Sequence, residues 1–149
     1  SDLRVATEDL VQFLRKHKMP IPDQLAATPT RVLVVDDEAA VAKMIARAIK
    51  TAHPDYEVIE ANDGFRAGTL VATQQPDVVI LDLRMPGMDG YEVCRLIKSQ
   101  ETSKHITVLA MTAYPSPESE EQIRDCGARV CLTKPLDISQ LLEELAASL

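Results

Sequence analysis

Short apolar runs alternate with segments of helical periodicity along most of the chain. Runs rich in Val, Ile and Leu indicate buried strands. They occur at residues 31–35, 56–59, 78–81, 106–110 and 129–132. Apolar residues spaced three and four apart predict helices after each strand. These helices fall at residues 38–52, 63–74, 91–99, 116–126 and from 138 onward. Five alternating strands and helices predict an α/β fold, with a parallel sheet covered by helices on both faces.

Residues at the element boundaries support this division. Asp63 and Asp137 each precede a helical segment and are expected to act as N-caps, whereas Gly127 follows one and is expected to end it. Residues 85–90, Met-Pro-Gly-Met-Asp-Gly, predict a loop. Right-handed crossovers leave few topologies for five such units. The doubly wound order 2-1-3-4-5, in the chain order of the five predicted strands, places the first and third strands side by side.

Charged residues stand where three of the predicted strands end. Asp36 and Asp37 follow the first strand, Asp82 follows the third, and Lys134 follows the fifth. The carboxyl ends of parallel strands share one edge of the sheet, which is where open α/β sheets build their sites. Three carboxylates crowded there repel one another unless a cation lies among them. A divalent metal together with Lys134 would supply the balancing charge.

The first 30 residues have a different character. Thr7 is predicted to cap a helix running to about Lys18, which Met19-Pro20-Ile21-Pro22 would end. Residues 26–30 resemble a linker, so we divide the chain into a helical arm with its linker (1–30) and a domain (31–149). One helix cannot bury an apolar face alone. The arm is therefore expected to pack on this domain, on a second copy, or within a larger unit.

Composition narrows the class of protein. The chain has 149 residues and a net charge of −7, which argues against binding of nucleic acid or an anionic membrane by this segment. No apolar stretch approaches the ~18 residues that a membrane-spanning helix needs. The three cysteines, Cys94, Cys126 and Cys131, have no CxxC spacing. They are expected to be buried reduced thiols in a cytoplasmic protein.

Four motifs together are specific. They are Val34-Val35-Asp36-Asp37-Glu38, the run from Leu81-Asp82 to Asp89-Gly90, Met111-Thr112-Ala113 and Lys134-Pro135. In this order, at the ends of predicted strands, they make residues 31–149 resemble a bacterial response-regulator receiver domain. The resemblance implies a flavodoxin-like fold and a role in two-component signalling.

The resemblance also implies a metal site. In receiver domains the acidic residues bind Mg²⁺, an ion that suits an all-oxygen site and keeps several waters. Asp37, Asp82 and the backbone carbonyl of Arg84 would bind it directly, and Asp36 would act mainly through a bound water.

Asp82 would be the phosphoacceptor, receiving a phosphoryl group from a histidine kinase or phosphotransfer protein. Lys134 would then pair with one phosphoryl oxygen, and the Thr112 hydroxyl would hydrogen-bond another. Pro135 is expected to follow a cis peptide that turns Lys134 inward. The chain would assist its own phosphorylation and dephosphorylation without being a turnover enzyme, and a dimer formed on phosphorylation stays open.

Three positions bear on switching and lifetime. Receiver domains usually carry an aromatic residue three positions before the lysine, where this chain has Cys131. This departure puts the usual relay to the helix at 116–126, the strand at 129–132 and the last helix in doubt, with Tyr114 as one substitute. Arg84 and Tyr114 occupy the positions that line the route of the attacking water, so a long-lived phosphorylated form is expected.

Other functions of similar architecture were weighed. A Mg²⁺-dependent phosphohydrolase typically has a second acid two residues after its nucleophile, where this chain has Arg84. A flavin carrier needs a phosphate-binding loop after the first strand, and Asp36-Asp37-Glu38 has the wrong charge for that. A receiver-like interaction module without phosphotransfer is the remaining alternative, although all the phosphotransfer residues are present.

The arm has a looser resemblance of its own. Residues 4–25 resemble the last helix and exit of an excisionase-like winged helix-turn-helix domain. On that interpretation Ser1 is a cloning remnant, and the parent protein binds DNA through a preceding domain and regulates transcription.

Overall fold

The computed structural model describes residues 2–17, 29–85 and 87–149, with the side chains of residues 2–8 and Met88 left aside. Six helices lie in these ranges: α1 (Asp2–Lys16), α2 (Ala39–Ala52), α3 (Gly64–Gln74), α4 (Gly90–Ser99), α5 (Pro117–Cys126) and α6 (Ile138–Ala147). Seven strands lie there too: β1 (Arg31–Val35), β2 (Glu57–Ala61), β3 (Val78–Asp82), β4 (Arg84–Met85), β5 (Met88–Asp89), β6 (Thr107–Thr112) and β7 (Val130–Thr133).

Five strands form one parallel sheet in the order β2-β1-β3-β6-β7. Without the short β4–β5 pair, this is the predicted order 2-1-3-4-5. The register sets Val35 beside Leu81, Asp82 beside Met111, and Thr112 beside Thr133. The α/β, doubly wound, flavodoxin-like prediction is therefore confirmed.

Alternate residues of the central strands point to two separate cores. On one face, Val32 and Val34 of β1 pack with Ile45 of α2 and Leu141 of α6. On the other face, Leu33 and Val35 pack with residues of α3 and α4, which include Ala67, Val71, Cys94 and Ile97. Every residue of β3 is buried, which explains its lack of polar alternation. Each Val, Leu or Ile buried in this way stabilises the fold by about 1.5–3 kcal/mol.

The predicted helix boundaries have the expected caps. The Asp63 side chain accepts a hydrogen bond from the Arg66 N–H, and Asp137 accepts one from the Gln140 N–H. Gly127 ends α5 with φ of 91°, a left-handed conformation that glycine adopts without a steric penalty.

Two local predictions were wrong. Residues 84–89 form a small antiparallel hairpin, β4–β5, where a plain loop was expected over 85–90, and Asp89 caps α4 by accepting from the Tyr91 N–H. Helix α1 begins at Asp2, so Thr7 lies inside it and is not its N-cap. The first residues include Leu, Arg and Ala, which favour helix and extend it upstream.

The arm is described as far as residue 17. The predicted stop at Met19–Pro22, the helix end at Lys18 and most of the linker lie outside the described residues. Within α1, Val11 is buried whereas Leu10 and Phe13 are exposed. No helix in the described parts of the chain is long and apolar enough to cross a bilayer.

Candidate functional site

The carboxyl edge of the sheet brings three acidic side chains together. Asp36 directly follows β1 and Asp82 ends the neighbouring strand β3, so the two lie side by side. One carboxylate oxygen from each of Asp36, Asp37 and Asp82 lies within 4.8 Å of the other two. Asp36 and Asp82 are buried, whereas Asp37 is exposed. The predicted juxtaposition of these acids is therefore what the fold produces.

Lys134 lies between the two buried carboxylates. Its Nζ donates to Asp36 Oδ2 at 2.6 Å and to Asp82 Oδ2 at 3.1 Å. The residue follows β7, and its backbone N–H donates to the Thr112 carbonyl at 2.8 Å. The Lys134–Pro135 peptide is cis, as expected. The ammonium thus joins strands that are far apart in the sequence at one point.

Backbone donors hold the second oxygen of each buried acid. The Glu38 N–H donates to Asp36 Oδ1 at 2.9 Å, and the Arg84 N–H donates to Asp82 Oδ1 at 3.0 Å. Each aspartate therefore closes a local turn with the N–H two residues ahead. Both carboxylates are fixed at two points, which leaves them little freedom to rotate.

The electrostatics of the site favour a cation. Burial raises the pKa of Asp82, and the hydrogen bonds from Arg84 and Lys134 offset this only partly, while the charge of Asp36 raises it further. Burial lowers the pKa of Lys134, but its hydrogen bonds to Asp36 and Asp82 outweigh burial and raise it above the ordinary value. Lys134 is therefore charged at neutral pH. Three acids facing one ammonium still leave negative charge, and this all-oxygen donor set fits a hard divalent cation such as Mg²⁺.

Thr112 ends β6 at the same edge. It is buried, and it directly follows Met111, the register partner of Asp82. Its Oγ accepts a hydrogen bond from the Tyr114 N–H at 3.1 Å, so in this conformation the hydroxyl caps the local turn. The residue is therefore near the acids but engaged with its own loop.

Arg84 and Tyr114 make a contact that sequence reasoning did not anticipate. The Arg84 guanidinium lies 4.7 Å from the centroid of the Tyr114 ring, a cation–π geometry. Both side chains are exposed. The contact joins the loop after Asp82 to the loop after Thr112. Because the Tyr114 ring is 64% exposed and faces Arg84, it does not replace the buried aromatic residue missing at Cys131.

Cys131 borders a cavity behind Thr112. This cavity has a volume of about 270 Å³, and Ser119 and Ile123 of α5 also line it. Cys94 and Cys126 are buried, and all three thiols are free, as predicted. Cys94 Sγ donates to the Cys126 carbonyl at 3.3 Å.

Cys131 is expected to react slowly with iodoacetamide. Burial, reinforced by the charges of Glu120 and Cys126, raises its pKa to about 11. Compared with a thiol of unperturbed pKa, the thiolate fraction at pH 8 falls by roughly a hundredfold. The alkylation rate of the folded protein should rise about tenfold per pH unit up to pH 10. Peptide mass mapping at several pH values measures this rate, and a rate that levels off below pH 9 contradicts it.

Comparison with known proteins identifies the family. The model of the response regulator receiver domain matches residues 32–146, so the chain belongs to that family. The fold and the acidic edge described above agree with this, and receiver domains typically use Mg²⁺.

Several relatives regulate transcription. The DNA-binding dual master transcriptional regulator RpaA of Synechocystis is 34% identical over 119 residues, which are 80% of this chain and 48% of RpaA. The transcriptional regulatory protein PdtaR of Mycobacterium tuberculosis is 36% identical over 132 residues, 87% of this chain and 62% of PdtaR. The chain thus spans about half to three fifths of the length of these two relatives.

Among solved structures, the receiver domain of a DNA-binding response regulator from Colwellia psychrerythraea is similar throughout. It superposes with a TM-score of 0.77 at 34% identity and covers 79% of this chain and 96% of that one. The chain therefore contains a receiver domain of a two-component response regulator.

Proposed function

We propose that Asp82 accepts a phosphoryl group from a histidine kinase or phosphotransfer protein, and that this modification changes the surface of the domain. The observation that carries the proposal is the position of Lys134, which bridges buried Asp36 and Asp82 while exposed Asp37 completes the acidic cluster. Such an arrangement combines a fixed carboxylate, a fixed ammonium and an opening to solvent.

Asp37, Asp82 and the backbone carbonyl of Arg84 would hold Mg²⁺, with Asp36 acting through a water. When bound, the ion offsets negative charge on the transferring phosphoryl oxygens. The burial of Asp36 and the exposure of Asp37 support this division of roles. Asp37 can reach an ion that arrives from solvent, whereas Asp36 is already engaged by Lys134 and the Glu38 N–H.

In the transfer, Asp82 Oδ2 would act as the nucleophile. The Arg84 N–H fixes Oδ1, so Oδ2 keeps a constant direction. The Oδ2–P bond forms as the P–N bond of a donor phosphohistidine breaks, and the leaving imidazole takes up a proton. The bond from Lys134 Nζ to Asp82 is longer than the bond to Asp36, by 3.1 Å against 2.6 Å. The ammonium can therefore leave Oδ2 for a phosphoryl oxygen while Asp36 continues to hold it.

Thr112 would respond after transfer. In the described structure its Oγ acts as acceptor for the Tyr114 N–H. Donating its hydroxyl proton to a phosphoryl oxygen would draw the end of β6 toward Asp82. The added charge of about −1.5 to −2 is the source of this pull.

The domain would promote only its own phosphorylation and dephosphorylation, so we propose a signalling switch without turnover of a separate substrate. The transcriptional regulators among its relatives support a regulatory output for the parent protein. The division at residue 30, the DNA-binding origin of the arm, a cytoplasmic location and a phosphorylation-dependent dimer remain parts of the proposal.

Incubation with phosphoramidate and Mg²⁺, followed by intact mass measurement, tests the proposal. The parent should gain one phosphoryl group, and Asp82→Asn should gain none. Omitting Mg²⁺ and adding a chelator should abolish the gain. Asp77→Asn is a matched control at the opposite end of β3 and should behave like the parent. A parent that gains no mass refutes phosphotransfer and favours an interaction module.

The phosphorylated form should be long-lived because Arg84 and Tyr114 cover the approach to Asp82. Arg84→Ala and Tyr114→Ala should each lose the phosphoryl group several-fold faster, since either change opens the route for water. Loss is followed by intact mass after the donor is removed. Equal or slower loss in both variants would contradict this protective role.

A further inference from the structure

Tyr91 stands directly behind the loop that carries Asp82. It is the second residue of α4, and its neighbour Gly90 contacts that loop closely. A Cβ at Gly90 would lie 2.6 Å from Leu83 Cα and 2.8 Å from the Asp82 carbonyl oxygen. The Gly90 N–H also donates to the Leu83 carbonyl at 3.3 Å. Because these atoms are already in contact, a shift of the Asp82–Leu83 peptide would reach the first turn of α4.

The Tyr91 ring packs where the strand lacks an aromatic side chain. It lies against the buried cluster of Leu83, Ala110 and Ile123, and Cys131 borders the same cluster. The Cys131 side chain is too short to connect β7 with the loop after Asp82. Tyr91 makes an aromatic connection there from the opposite direction, because it belongs to α4.

The Tyr91 hydroxyl reaches α5. It is a side-chain hydrogen-bond partner of Ser119. Ser119 is 9% exposed, and its hydroxyl accepts from the Ser116 N–H at 2.9 Å in the capping box that begins α5. Ser119 also lines the 270 Å³ cavity, together with Thr112 and Cys131. Tyr91 therefore touches the first turn of α5 beside a space into which that turn can move.

We propose that Tyr91 relays the state of Asp82 to α5, and that its contact with Ser119 holds α5 in the unphosphorylated position. This inference rests on the proposed phosphorylation of Asp82. When Thr112 and the Asp82 loop move, Gly90 carries the displacement to Tyr91, and the hydroxyl loses its hold on Ser119. Helix α5 is then free to move into the cavity.

Amide resonances of Ser119 and Cys131 test the relay in the ¹⁵N-labelled chain. They are recorded before and after phosphorylation with phosphoramidate and Mg²⁺, and the intact mass of each sample is measured. Tyr91→Phe keeps the ring and removes the hydroxyl. Tyr56→Phe makes the same change on the other face of the sheet, where Tyr56 packs with the α2–α6 core and stacks on His53.

In the unphosphorylated Tyr91→Phe protein, both resonances should be displaced toward their phosphorylated positions. The ratio of the phosphorylated-like to the unphosphorylated-like arrangement should rise roughly fivefold, as expected when one neutral hydrogen bond is lost. Ser119→Ala should give a similar displacement, and the double variant should add little to either single change. Tyr56→Phe should match the parent.

Three outcomes would overturn the relay. Resonances of unphosphorylated Tyr91→Phe that stay at the parent positions, or move away from the line joining the two states, exclude Tyr91 as the link. A parent that gains the phosphoryl mass while Ser119 and Cys131 do not move excludes the relay alone. A parent that gains no mass overturns the proposed function, and the relay with it.

Discussion

Replacing Lys134 by alanine should slow phosphorylation of Asp82 by about a hundredfold, in line with losing a fixed charge that stabilises a transition state. It should also destabilise the fold by about 3–5 kcal/mol, because removing one partner leaves a buried charge without compensation. Asp36 is fully buried and Asp82 nearly so, and both depend on the same ammonium. Urea unfolding in the presence of a chelator measures the free energy of unfolding, and mass-detected phosphorylation measures the rate.

A second variant separates the two effects. Adding Asp36→Asn to Lys134→Ala removes the stranded charge, so it should restore part of the stability without restoring phosphorylation. Lys104→Ala is a matched control, because Lys104 pairs with Glu101 at the surface, where such pairs contribute little. If Lys134→Ala is no less stable than Lys104→Ala, then Lys134 does not compensate the buried acids.

Replacing Gly90 by alanine should destabilise the domain by about 3 kcal/mol and slow phosphorylation at least about tenfold. The added Cβ would overlap the backbone of Leu83 and Asp82, which cannot rotate away as a side chain can. Relief of this overlap has to move either α4 or the peptide that follows the phosphoacceptor. Thermal unfolding and the phosphorylation assay, performed at a temperature where the variant is folded, measure the two effects.

Gly68→Ala provides the contrast within the same protein. Gly68 lies in helix α3, and a Cβ there would meet nothing within 4 Å. Alanine favours helix over glycine by about 1 kcal/mol, so this variant should be more stable than the parent and equally active. Similar behaviour of the two glycine variants would show that the close approach at Gly90 is unimportant.

The sequence was most informative where the physical signal is periodic. Apolar runs such as 78–81 have to be buried on both sides, so strand, parallel sheet and core follow together. The site followed from the same logic, because Asp36, Asp82 and Lys134 each end a strand and parallel strands end at one edge. Their assignment to phosphotransfer came from the family resemblance, and family membership is confirmed by residues 32–146.

Other features depended on contacts that a linear pattern does not contain. The β4–β5 hairpin has only two residues per strand, too few to show alternation. The Arg84–Tyr114 contact joins two loops whose mutual approach is set by the sheet register. The position of Tyr91 depends on Gly90, whose close packing is visible only once α4 and β3 are placed together. Thr7 misled because a good N-cap residue can also lie inside a helix when the preceding residues favour one.

Borohydride trapping tests the central claim most directly. The chain is phosphorylated with phosphoramidate and Mg²⁺, reduced with borohydride, digested and mapped by mass spectrometry. An acyl phosphate on an aspartate is reduced to homoserine, so the modified residue is identified in the peptide itself. The account predicts homoserine at position 82 only when Mg²⁺ is present, and unchanged residues at positions 36 and 37. Homoserine at either of those positions, or none anywhere after incubation with the donor, would contradict it.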